Sequence, residues 1–320
     1  MRRIRQILLC SIFAGIFWVD AAAPTSAQIR ETIQRAIPFV EEKGVNWIEK
    51  KDCVSCHRVS TMVWSLSLAR AKGFKVSDEL DEWIDWSVKK SLSKNDKGKI
   101  VGHGNKEGVA QLLLGLGKIP AAKRGQLVAL LPNAQLPDGS WKPGGQLPGQ
   151  KRPLPETSSV STLWLALALL ESANVKAAAV AAKAIESVEK SAAGKSTEWY
   201  ALRLMVAVQS EEKVARAKFI KSLRQQQNAD GGWGWMVGEK SDALGTGMAM
   251  YALQRADLDH HDATLSRAQQ FLIGTQGKNG SWPVRSTKAK KKKSVQETST
   301  YWGTTWAVIA LATGLPAKGK

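Results

Sequence analysis

Cys53, Val54, Ser55, Cys56 and His57 stand in succession. Two thiols three positions apart, followed at once by an imidazole, have the spacing of covalent haem attachment. The chemistry sets that spacing. The thiols add to the two vinyl groups on one porphyrin edge, and the adjacent imidazole swings beneath the ring to reach the iron. The sequence therefore predicts haem c held by Cys53 and Cys56, with His57 as an iron ligand. Two other uses of these residues stay open. One is a Cys53–Cys56 disulfide; the other is half of a zinc site, which would draw on His103, His260 or His261. His103, between Gly102 and Gly104, is the first candidate for the second axial position. Met248 and a five-coordinate iron open to a ligand are the alternatives, and Met62 sits too close to His57 to reach the opposite face.

The compartment fits such a cofactor. Arg2, Arg3 and Arg5 precede an apolar run over residues 7–19 and small residues at 21–27, the order of a secretory signal peptide. The expectation is a signal over residues 1–27, a periplasmic or otherwise exported protein, and one domain over residues 28–320. The apolar run is too short to span a bilayer comfortably, so no transmembrane helix is expected after cleavage.

Composition bounds the rest. The chain has 320 residues, of which 43% are hydrophobic and 23% charged, enough for a large core and unlike a disordered chain. Three cysteines exclude a disulfide framework. The net charge is +18, and Lys288 and the four lysines at 290–293 form a run. Such a run suits a solvated loop, or docking to an acidic redox partner, an anionic lipid or an acidic polymer. Nucleic acid is not expected as a partner of an exported chain.

The elements that position these residues repeat. Thr61, Gly108, Thr162, Thr197, Thr246 and Thr304 each open a stretch rich in alanine and leucine and almost free of charge. A helix apolar on nearly all faces is buried. Amphipathic segments lie between, at 29–50, 77–92, 120–131, 175–190, 211–226 and 262–275. Outer helix then inner helix, six times, predicts a closed barrel of helical hairpins; an open solenoid would need a polar capping repeat, which the last buried stretch is not. A second repeat, Gln-x3-Gly-x-Trp, begins at Gln135, Gln227 and Gln276, each time between an outer and an inner segment. In it glycine permits the tight turn, glutamine can reach free helix-end groups, and tryptophan can cover them.

These turns and the alternating helices resemble the (α/α)6 toroid of squalene–hopene cyclases and prenyltransferases, over about residues 29–315. With the haem motif added, the chain is similar to squalene-cyclase-like, cytochrome-c-like proteins of bacteria. The resemblance implies an all-α toroid with the haem at the first inner-helix junction, at the mouth of a central cavity. The chemistry of those relatives is not expected to transfer. The acidic DxDD-type motif that protonates a polyene is absent, and Asp78–Glu82 reads as a solvated face. No acid is expected within an inner-helix core. Glu156, Asp242 and Glu297 read as helix N-caps and helix-dipole partners. The functional expectation is an exported haem protein for electron transfer or ligand sensing. The alternatives are an enzyme on an isoprenoid or other apolar molecule in the cavity, and a haem-free scaffold.

Overall fold

Charge-poor segments fold as buried helices, and amphipathic ones pack outside them. The computed structural model describes residues 23–54, 57–117, 119–259, 261–291 and 293–316, which hold twelve α-helices. The outer helices are α1 (Ser26–Lys51), α3 (Leu80–Leu92), α5 (Ala121–Leu130), α7 (Val175–Glu189), α9 (Lys213–Gln226) and α11 (Ala263–Thr275). The inner helices are α2 (Val59–Ala71), α4 (Lys106–Gly115), α6 (Leu154–Glu171), α8 (Thr197–Gln209), α10 (Ala243–Arg255) and α12 (Glu297–Thr313). Each inner helix packs on the next, and α12 packs on α2, so the ring closes. The all-α toroid expected from the repeats is the fold. No helix among the described residues is long and apolar enough to cross a membrane.

The middle of the ring is filled rather than hollow. Trp64, Trp164, Tyr251 and Trp306 meet on the axis, with neighbouring ring centroids 5.4–6.0 Å apart. Edge and tilted contacts of this kind suit the aromatic quadrupole.

The Gln-x3-Gly-x-Trp turns and the threonine anchors are two halves of one device. The backbone N–H groups of Trp141, Trp233 and Trp282 donate to the hydroxyls of Thr162, Thr246 and Thr304 at 3.0, 2.9 and 3.2 Å. Each turn is thereby fixed to the inner helix that follows it. The turn glycines, at φ of +90°, +86° and +80°, lie where only glycine is unstrained, and a Cβ on any of them would run into a carbonyl of the next outer helix. The division of labour differs from the sequence expectation. The indole satisfies the helix end: Trp233 and Trp282 Nε1 donate to the Leu223 and Leu272 carbonyls, in the last turns of α9 and α11, at 2.8 and 2.7 Å. The glutamine instead reaches sideways. The amides of Gln135, Gln227 and Gln276 donate to carbonyls of Val180 in α7, Thr264 in α11 and Thr32 in α1, at 3.1, 2.9 and 2.9 Å.

The acids at the inner-helix starts also differ from expectation. Asp242 does cap α10, accepting from Gly245 N–H at 2.8 Å. Glu156 and Glu297 are not caps, but both lie in the first turn of their helices, where a carboxylate meets the helix dipole. Glu156 accepts from the backbone and hydroxyl of Ser196, which itself caps α8, at 2.8 and 2.6 Å. Glu297 pairs with the buried Arg58 at the start of α2. Each ties one repeat to its neighbour.

Candidate active site at the inner-helix rim

Every outer-to-inner junction falls at the rim where the inner helices begin. There the loops enclose a cavity of about 240 Å³. Trp47 at the end of α1, Val54 and His57 before α2, His103 to Glu107 at the start of α4, the 141–150 loop before α6, and Thr298 and Trp302 in α12 contribute to its wall. The structure thus brings Cys53, His57 and His103 to one cavity, although they come from two junctions. Cys56 lies outside the described residues, as do His260 and residues 1–22. Met62 and Met248 are fully packed in the core.

His57 sits between indoles, its ring 6.3 Å from Trp47 and 6.2 Å from Trp302. Burial, then the positive charges of Arg58 and Lys288, push its pKa down to about 4, so the imidazole is neutral near pH 7. The Cys53 thiol is pushed up by burial, with Lys90 opposing, and stays protonated. Trp47 Nε1 donates to the Cys53 carbonyl at 3.0 Å, which holds the loop against α1.

Glu107 is the feature that the sequence reading missed. It belongs to the first turn of α4, is only 5% exposed, and accepts a hydrogen bond from the Ser161 hydroxyl of α6. Burial and then the nearby charge of Glu198 push its pKa up to about 7, against the Ser161 bond and the charge of Arg152. Glu198 is itself buried in α8, paired with Arg152 at 2.6 Å and receiving the Trp164 and Trp235 indole N–H groups at 2.9 and 3.3 Å. The expectation that no acid lies in an inner-helix core is therefore corrected. A signal was present in the sequence: Glu107 and Glu198 directly flank the anchor positions Gly108 and Thr197, at the mouths of charge-free stretches.

The electrostatics of the wall are one-sided. Lys106, Lys142 and Lys288 line it, and Glu107 is the acid among its described residues. Burial lowers the Lys106 pKa, and its ammonium donates to the His103 carbonyl at 3.0 Å. Trp141 and Trp302 are almost completely buried beneath the surface of the wall, and Trp302 Nε1 has no protein partner. Amides of Asn105, Gln146 and Gln150 complete a lining of flat apolar faces, cations and neutral donors.

Comparison with known proteins separates scaffold from chemistry. The squalene–hopene cyclase C-terminal domain family matches residues 201–319. A drimenyl diphosphate synthase of Streptomyces showdoensis is 34% identical over 88 residues, which is 26% of this chain and 16% of that enzyme. Among solved structures, an unsaturated glucuronyl hydrolase of Streptococcus agalactiae superposes with a TM-score of 0.61 at 12% identity, covering 97% of this chain and 98% of that one. A family 88 glycosyl hydrolase of Bacteroides vulgatus gives 0.58 at 11% identity, over 91% of this chain and 99% of that one. A polysaccharide lyase gives 0.58 at 11% identity, over 91% and 97%.

The expectation that the chain works as a haem electron-transfer or redox-sensing protein is corrected by these findings. Proteins that share the fold over nearly the whole chain are named as saccharide hydrolases and a lyase, not as cytochromes. Among the described residues no group of three or more His, Cys, Asp or Glu is placed to hold a metal ion. What the chain shares with all these proteins is a terpene-cyclase-like helical toroid, whose C-terminal part is similar to the squalene–hopene cyclase C-terminal domain.

Proposed function

We propose that the chain is an enzyme that transforms an anionic saccharide in the rim cavity, with Glu107 as its proton donor. One observation carries this reading: Glu107, a carboxyl held near pKa 7, lines a cavity together with three lysines and Trp47. The half-buried Trp47 offers an indole face to the C–H face of a sugar ring, lysines suit carboxylates, and side-chain amides suit hydroxyls. A general acid works best when its pKa lies near the working pH. The names of the glucuronyl hydrolase and the polysaccharide lyase that share the fold support the substrate class.

The described wall offers no second carboxyl to partner Glu107, as the usual pair of glycosidase carboxylates would require. A single acid is enough for a uronide with a ring double bond next to the ring oxygen. Glu107 gives its proton to the far carbon of that double bond, and the positive charge spreads onto the ring oxygen. Water adds to the carbon beside that oxygen and returns a proton to the Glu107 carboxylate. The net change is addition of one water across the double bond, after which the ring opens and releases the neighbouring sugar. A lysine of the wall holds the substrate carboxylate throughout.

Purified protein incubated with unsaturated uronyl disaccharides, and with their neutral counterparts, tests the reading by loss of the double-bond absorbance. Turnover of the uronides is expected, falling as pH rises above about 7, with a loss of roughly 100-fold or more in Glu107→Gln. Absence of turnover, or a Glu107→Gln variant of full activity, overturns it.

A further inference from the structure

Beyond the cavity, residues 284–291 and 293–296 form the two sides of a hairpin-like strap between α11 and α12. Ser286 N–H donates to the Ser294 carbonyl at 2.8 Å and Gln296 N–H to the Val284 carbonyl at 3.1 Å, around an antiparallel bridge between Arg285 and Val295. The strap is tied across the cavity mouth to the loop before α6. Lys151 N–H donates to the Thr287 carbonyl at 2.7 Å, Gln150 and Lys288 form an antiparallel bridge, and the Lys288 ammonium donates to Gln146 Oε1 at 2.6 Å.

This places an unneutralised row of cations at the mouth. Lys288, Lys290, Lys291 and Lys293 are exposed, and from Lys278 to Gln296 the chain has no acidic residue. Lys288 also lines the cavity, so positive charge runs without a break from the wall onto the strap.

We propose that the strap is an extended subsite for an anionic polysaccharide, holding the polymer while its end occupies the cavity. The proposal rests on the saccharide reading of that cavity and adds the length of the substrate to it. Charge complementarity decides the occupant. A single-strand nucleic-acid site pairs cations with aromatic stacking platforms, and residues 285–296 carry no aromatic side chain. An amphipathic membrane helix pairs lysines with several buried apolar residues, and here Val295 is the sole large apolar side chain from Arg285 to Gln296; purely electrostatic lipid binding is left to the vesicle arm of the test, and the continuity of the row with the cavity through Lys288 favours the polymer. A polyuronate needs only a row of cations, since it presents a carboxylate on every sugar.

The experiment measures polymer binding without turnover, on the full chain. Affinity electrophoresis against polygalacturonate and against neutral dextran, at low and high salt, compares the parent with Lys290→Ala/Lys291→Ala/Lys293→Ala. The expected result is polygalacturonate binding by the parent that weakens with salt, at least about tenfold weaker binding in the variant, and no retardation of either by dextran. The variant is expected to keep the parent's melting temperature and its turnover of unsaturated disaccharides, because the altered side chains are exposed and outside the acid's reach. Equal polygalacturonate binding by parent and variant overturns the subsite. So does a parent that binds duplex DNA or phosphatidylserine vesicles as tightly as polygalacturonate. Failure of disaccharide turnover in the parent overturns the enzymatic reading of the cavity, whereas the subsite stands or falls by polymer binding, which is read separately.

Discussion

The Gln276 side-chain amide donates to the Thr32 carbonyl at 2.9 Å, across 244 residues of chain. The same nitrogen donates to the Gly280 carbonyl at 2.9 Å, so one amide folds its own turn and clasps the last repeat to the first outer helix. The two other turns of this type make the same contact between later repeats. Closure of the ring is thus a repeat contact used once more.

Opening that clasp has a measurable cost. Gln276→Ala removes two hydrogen bonds from a partly buried site and is expected to lower the unfolding free energy by about 1–3 kcal/mol in urea titrations. Gly280→Ala is expected to cost more, at least about 3 kcal/mol, because an alanine there combines a left-handed backbone at φ +80° with collision against the Arg35 carbonyl. Gly145→Ala is the control: its φ is +54° but nothing lies near the added carbon, so only about 1 kcal/mol is expected. Equal costs at the two glycines would show that the contact with α1 contributes nothing.

Glu107 makes stability depend on pH in a defined direction. Its ordinary pKa of 4.5 is raised in the folded state to about 7, so folding favours the protonated form. The contribution is complete below about pH 4.5 and is lost as pH rises through about 7. Glu107→Gln keeps a neutral side chain at every pH. Thermal melts should therefore show the variant gaining on the parent between pH 5 and pH 8, roughly; a constant difference in melting temperature would sink the assignment of Glu107 as a buried acid.

Arg152 and Glu198 carry a buried charge pair, with side chains 0% and 2% exposed. Removing one partner strands the other. Arg152→Met is expected to cost about 3–5 kcal/mol, and Arg152→Met/Glu198→Gln together distinctly less than that. Glu198→Gln has a second expected effect. It removes the negative neighbour that helps to raise Glu107, so the fall in activity with rising pH should move to lower pH. A double variant as damaged as the single one would argue that the site depends on packing and not on paired charge.

Much of the scaffold was legible because period and burial are written locally. Charge-free stretches opened by Thr61, Gly108, Thr162, Thr197, Thr246 and Thr304 became the inner helices, and the amphipathic segments matched the outer ones to within a few residues. The turn motif was legible too, but its meaning was not. Glutamine was expected at helix ends, where the indole acts instead, because which polar group meets which carbonyl depends on the outer helix of the next repeat.

The site divides along the same line. Spacing alone drew attention to Cys53, Cys56, His57 and His103, and the toroid brings the last two to one wall. The sequence could not mark Glu107 as a buried acid with a raised pKa. Its pKa comes from burial and from the charge of Glu198, 91 residues away in the chain. A carboxyl in the first turn of a helix looks the same in sequence whether water or protein covers it. The order of helices was therefore determined by the sequence pattern itself, through local hydrophobic periodicity. The chemistry of the rim was decided only when closure of the ring set residues of distant repeats side by side and shut water out from between them.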